Sequence, residues 1–92
     1  MEETLSYEER KSLIKKANAV PINVRVGKMG LSPELVSEIV RQLKRDELVK
    51  VKILKNYMEE KSRFEMAETL AVRTGSVLLD VKGFVALFYM KK

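Results

Sequence analysis

Apolar and polar positions along this chain follow two periods, and the switches between them mark its elements. Ser6 with Glu9 fits a capping box, so a helix is predicted from Tyr7. Tyr7, Leu13, Ile14 and Ala17 recur at helical spacing, and Pro21 ends that segment. "INVRV" then alternates, with Ile22, Val24 and Val26 facing one way and Asn23 and Arg25 the other. Ser32 as N-cap and Pro33 at the first helical position open a second helix. Leu35, Ile39 and Leu43, widened by Val36 and Val40, form its core stripe to about Lys44. "LVKVKIL" alternates again, with Val49, Val51 and Ile53 opposite Lys50 and Lys52. "EEKSRFEMAETLAVRTG" is predicted as a helix with Phe64, Ala67, Leu70 and Ala71 inward and Gly75 as its stop. "SVLLDV" and "FVALFYM" are predicted strands, and "DVKG" between them predicts a tight hairpin.

The order α-β-α-β-α-β-β implies an α/β (α+β) fold: one domain over residues 1–92, with a four-stranded mixed sheet. Each βαβ step is expected to be a right-handed crossover between parallel strands, and the last pair antiparallel. A sheet covered on both faces reads as continuous apolar runs. The first two strands instead alternate apolar with polar or basic residues. Part of one face is therefore expected to meet solvent, carrying Arg25, Lys50 and Lys52. The last strand is apolar on both sides, which suits a central position.

Composition narrows the chemistry. Ninety-two residues leave no room for a second core. The absence of cysteine excludes disulfides, a thiolate nucleophile and a zinc–sulfur site, and the absence of histidine removes the commonest general base and metal ligand. Glu65 and Glu68 share a helix face without a partner base, so no catalytic residue, metal site or cofactor is expected. The acidic start does not read as a signal peptide. The longest uncharged apolar run, "GFVALFYM", is far short of the roughly 18 residues of a membrane helix. A cytoplasmic monomer without a membrane partner is expected.

Charge changes the picture more. The 18 Lys and Arg exceed the 13 Asp and Glu by five, and the excess is clustered. Residues 10–28 hold six cations and no acid, and residues 41–55 hold six against Asp46 and Glu47. Clustered positive charge points to a polyanion, although solubility alone also accounts for it. Arg41, Lys44 and Arg45 follow Glu34 and Glu38 along one helix, the order that its dipole favours.

Two of the four glycines flank "KM" where the first strand turns into the second helix. Gly27, Lys28, Met29 and Gly30 could form a phosphate cradle: glycines for close backbone approach, amides at the helix start, and a cation at the tip. The plain alternative is a tight turn. Neither "GxxxxGK" nor "GxGxxG" is present, and a G-x-x-G loop beside a helix matches in kind the backbone clamp of KH-type RNA binders.

"VRVGKMGLSPELVSEIVRQLKRDELVKVKI", followed by "TGSVLLDVKGFVALFY", resembles the CRM domain, the YhbY-like family of chloroplast RNA splicing and ribosome maturation. The resemblance covers nearly the whole chain. It implies an RNA-binding fold similar to the C-terminal domain of bacterial translation initiation factor three. A free-standing domain resembles the bacterial members associated with precursors of the large ribosomal subunit. Structured RNA, ribosomal RNA or pre-ribosomal particles are the implied partners. Gly27, Lys28, Met29 and Gly30 match the family loop, and Lys50 and Lys52 its basic strand positions; Lys16 and Arg25 extend the positive surface. The end departs: Phe84 and Met90 stand where family members often carry basic residues, with charge displaced to Lys91 and Lys92. The rivals are a winged-helix-like DNA binder and a small α/β phosphate-binding domain.

Overall fold

A computed structural model of the chain describes residues 5–27, 31–53 and 62–91. The elements run α1 (Tyr7–Ala17), β1 (Ile22–Val26), α2 (Pro33–Asp46), β2 (Leu48–Ile53), α3 (Ser62–Thr74), β3 (Val77–Lys82) and β4 (Val85–Tyr89). The sheet order is β1-β2-β4-β3. β1 and β2 are parallel, and β4 is antiparallel to both β2 and β3. β3 therefore runs parallel to β2 one place away, and β4 fills the gap. The central position expected for the apolar last strand is observed.

The helix ends follow from local chemistry. At α1 the Ser6 amide donates to Glu9 Oε1 at 3.0 Å and the Glu9 amide to Ser6 Oγ at 3.1 Å, completing the capping box. The Leu35 amide donates to Ser32 Oγ at 3.2 Å, with Pro33 at the start of α2. α3 ends in a Schellman motif: Gly75 has φ +65°, its amide donates to Val72 and the Ser76 amide donates to Ala71. The end of α2 carries no such sequence signal. Its cap is Glu47 at φ 70°, held because its amide donates to Leu43 and its carbonyl accepts from the Met90 amide.

α2 and α3 pack on one face of the sheet. Val24, Val26, Ile39, Leu43, Val49, Val51, Ile53, Ala67, Leu70, Ala86 and Phe88 form that core. The other face is covered only in part. Ala17 of α1 buries with Leu48, Leu79, Leu87 and Tyr89, flanked by Leu5, Leu13, Ile14, Val20 and Val77. Both sheet faces thus hold a core, which corrects the expectation of no room for a second one; the second is smaller and leaves the first two strands open beyond it.

A register shift between Ile22 and Val24 sets Ile22 beside Lys50 rather than on the face of Val24 and Val26. Three further details differ from expectation. Tyr7 is 77% exposed, because the contact stripe of α1 begins only at Leu13. Phe64 is 45% exposed rather than inward, because Ala67 and Leu70 close the α3 contact one turn later. The third is in β3. Leu78 pairs with Phe88 and Asp80 with Leu87, so the intervening Leu79 is an extra residue and "SVLLDV" does not alternate strictly. Arg10 of α1 fixes this bulge by donating to the carbonyls of Leu78 at 3.2 Å and Leu79 at 3.0 Å. A cation counted as surface charge in the sequence is thus a structural tether. The predicted start of the third helix, at residues 59–61, lies outside the described residues.

Candidate nucleic-acid interface

The open part of the sheet is built from strand parity. Val24, Val26, Val51, Ile53, Val81 and Ala86 point to the α2/α3 core. Their neighbours Arg25, Lys52, Lys82 and Val85 therefore point to the opposite face. Register then aligns them: Arg25 pairs with Lys52, Lys52 with Val85, and Val85 with Lys82. One row across all four strands thus carries three cations. With neighbouring strands about 4.8 Å apart, Arg25 and Lys52 rise side by side and Lys82 stands roughly 10 Å beyond Lys52. All three side chains are exposed. None forms an ion pair among the described residues.

The next row inward is different. Lys50 is half-buried and pairs with Ile22 on one side and Leu87 on the other, and Asp80 closes the row on β3. The face therefore grades from apolar beneath α1 to cationic at the end away from it. Among the described strand residues, Asp80 is the only carboxylate on this face, and it stands one row in from the outer cations.

Of the sequence-predicted site residues, the structure aligns Arg25 and Lys52 and places Lys50 beside them. Lys16 sits exposed in the last turn of α1, on a different element. Gly27 is half-buried at the end of β1, directly after the strand that supplies Arg25. Lys28, Met29 and Gly30 lie outside the described residues. At the helix start behind the loop some of the first amides are already engaged. Pro33 has no amide proton, the Leu35 amide is taken by Ser32 Oγ, and the Val36 amide is taken by the Ser32 carbonyl. Among the first-turn amides only that of Glu34 is left, beside its own carboxylate.

Lys82 was missed in the sequence. Its signal was present: a two-residue hairpin at Gly83–Phe84 sets Lys82 opposite Val85, and a central β4 sets Val85 opposite Lys52. Gly83 has φ +61°, as such a turn requires. Two of the basic residues of α2, Arg41 and Arg45, behave otherwise. Arg41 donates from Nε and NH2 to Glu38 at 2.9 and 2.6 Å, and Arg45 holds Asp46 at 2.8–3.1 Å. Hydrogen bonds from Arg41, then Gln42, pull the Glu38 pKa down to about 2. These cations are neutralised by their own helix.

A small α+β domain with one cationic, partly uncovered sheet face defines a class of polyanion-binding modules. The chain belongs to the CRS1 / YhbY (CRM) domain family, whose profile matches residues 5–90. It is 33% identical over 85 residues to "Probable RNA-binding protein MJ0652" of Methanocaldococcus jannaschii, covering 92% of this chain and 63% of that protein. It is 29% identical over 85 residues to "Probable RNA-binding protein YqeI" of Bacillus subtilis, covering 92% of this chain and 86% of that protein. The solution structure of the Staphylococcus aureus "hypothetical protein SAV1595", described there as "a putative RNA binding protein", superposes with a TM-score of 0.77. That match has 29% identity and covers 97% of this chain and 91% of the other. The family and these relatives support RNA binding, not catalysis, as the class of activity. The family fold also removes the winged-helix rival, since β1 precedes the glycine loop and pairs in parallel with β2. Among the described residues no helix is long and apolar enough to cross a membrane.

Proposed function

We propose that the protein binds structured ribosomal RNA and acts, as a cytoplasmic monomer, in assembly of the large ribosomal subunit. The observation that carries RNA binding is the row Arg25–Lys52–Lys82: three exposed cations from three strands, without acid partners among the described residues. Phosphates laid across the strands would meet this row. The GKMG loop, Gly27 to Gly30, follows β1 directly and would supply Lys28 as a further phosphate contact, with Met29 at the core edge or along a sugar. Lys16 and Lys50 would extend the surface. Family membership and the RNA-binding names of the relatives support the RNA class. The ribosomal assignment rests on the resemblance to stand-alone family members.

The test is a titration with a structured ribosomal RNA fragment, duplex DNA and mononucleotides at matched salt. RNA is expected to bind best, with affinity falling steeply as salt releases phosphate counterions. Affinity unmoved by salt, or equal binding of a neutral polymer, would end the proposal. Sedimentation of cell extract tests the ribosomal part: the protein is expected with large-subunit precursors, and recovery only as free protein would remove it.

A further inference from the structure

The β3–β4 turn carries an aromatic cluster that the cationic row does not use. Phe84 sits in the turn, and its carbonyl accepts from the Ile53 amide at 2.7 Å, which ties the turn to the end of β2. Arg63 of α3 lays its guanidinium 4.8 Å from the centroid of the Phe64 ring and 5.1 Å from that of Phe84. Both distances lie within the range of a cation–π contact. The guanidinium thus stacks on both rings, and Phe64, at the outer end, is 45% exposed. That ring lies outside the core cluster that Ala67 and Leu70 join.

Position makes the cluster more than an isolated exposed phenylalanine. Phe84 is the chain neighbour of Val85 and lies two residues from Lys82, both members of the row. The ring of Phe84 meets α3, on the helix-covered side of the sheet, whereas Lys82 and Val85 face the open side. The turn is therefore a rim with phosphate-binding charge on one side and an aromatic–guanidinium stack on the other. A flexible single strand can pass over such a rim, with its backbone on the row and a base turned onto the stack. A continuous duplex has no free base face to offer.

We infer that Phe64, backed by Arg63 and Phe84, is a stacking site for an unpaired nucleobase of the bound RNA. The inference rests on the RNA-binding reading above and adds to it a preference for unpaired segments. Stacking of this kind tolerates any base, because each presents a π-face. Arg63 adds electrostatic attraction to the ring system and holds Phe64 in place.

The experiment uses the full chain with two probes: a single-stranded RNA carrying 2-aminopurine, and a blunt RNA duplex of the same length. The wild type is expected to bind the single strand and to change the 2-aminopurine fluorescence through stacking. Phe64→Ala is expected to weaken single-strand binding roughly 5- to 100-fold, remove that fluorescence change, and alter duplex binding less than about twofold. Phe64→Tyr keeps a ring and is expected to restore both signals; thermal midpoints of both variants verify folding. Single-strand affinity and fluorescence unchanged in Phe64→Ala would overturn the stacking site while leaving RNA binding intact. Equal loss toward both probes would also overturn it, because the ring would then not distinguish unpaired bases. A wild type that binds neither probe would sink the RNA reading and this inference together.

Discussion

Two regions of this domain carry similar numbers of cations and differ in what surrounds them. On α2, Arg41 and Arg45 each close on a carboxylate of their own helix, Glu38 three residues earlier and Asp46 next in the chain. On the open sheet face, Arg25, Lys52 and Lys82 come from three strands and meet no acid among the described residues. The difference is geometric. A helix brings residues three and four apart onto one face, so Glu38 meets Arg41, and Arg45 takes the adjacent Asp46 at the helix end. A sheet row draws one residue from each strand, so its charge depends on distant parts of the chain agreeing. Clustering of charge in a sequence therefore says less about a binding surface than where the counter-charges fall in space.

The largest effect is expected from dismantling the sheet row. Changing Arg25, Lys52 and Lys82 together to alanine removes about three phosphate contacts. The log–log salt slope should fall by roughly two to three units, with a 10- to 100-fold loss of RNA affinity at low salt. All three are exposed, so the thermal midpoint should hold. An unchanged slope would show that the row is not the phosphate site. Arg10 gives the opposite pattern. Its guanidinium serves the Leu78 and Leu79 carbonyls, so Arg10→Ala should cost about 1–2 kcal/mol in denaturant unfolding while RNA affinity stays put. Loss of affinity without loss of stability would place Arg10 in the interface instead.

How much of this was legible in the sequence depends on the range of the signal. The caps at Ser6 and Ser32 and the stop at Gly75 were readable because a cap is satisfied within a few residues. β2 and the part of β1 from Val24 onward were readable because alternation is local and each has one dry face; Ile22, across the register shift, was not. Strand position was inferred correctly from the apolar β4. What stayed hidden needed partners far along the chain. The bulge at Leu79 exists only in register with Leu87 and under Arg10. The positive φ of Glu47 is imposed by Leu43 and Met90, and glutamate gives no hint of it. Tyr7 and Phe64 sat at helical spacing, but spacing does not say whether a neighbour lies beneath that turn. The candidate site was half legible for the same reason: Arg25 and Lys52 show in their own strands, whereas Lys82 joins them only through β4.

A smaller effect is expected from the α2 cluster. Arg41→Ala with Arg45→Ala removes two formal charges, the same kind of change as at the sheet row. Because Glu38 and Asp46 already offset them, RNA affinity should change by less than about twofold. Binding measured at the same salt as the row variant makes the comparison direct. A loss matching that of the row would mean that the ion pairs open when RNA arrives.

The smallest effect concerns the Glu38–Arg41 pair itself. The Glu38 carboxylate, bonded to Arg41 and Gln42, has its pKa lowered from an ordinary 4.5 to about 2. A carboxyl that is a stronger acid when folded releases its proton more readily in the folded state, so folding is favoured by the ionised form. The contribution is complete above pH 4.5 and is withdrawn as pH falls toward about 2. Glu38→Gln keeps the shape and an acceptor oxygen but cannot ionise. The variant should melt slightly below the wild type at neutral pH, and the gap should shrink below pH 4.5 and close near pH 2. The Arg41 and Glu38 side chains are 58% and 43% exposed, so solvent screening keeps the gap small and added salt should narrow it. Melting both proteins from pH 2 to 7, at low and high salt, measures it. A gap that persists unchanged at pH 2 would mean that Glu38 acts through its shape and hydrogen bonds rather than its charge. Arg41 would then carry more free charge than the pairing implies, and the contrast between helix and sheet would have to be redrawn.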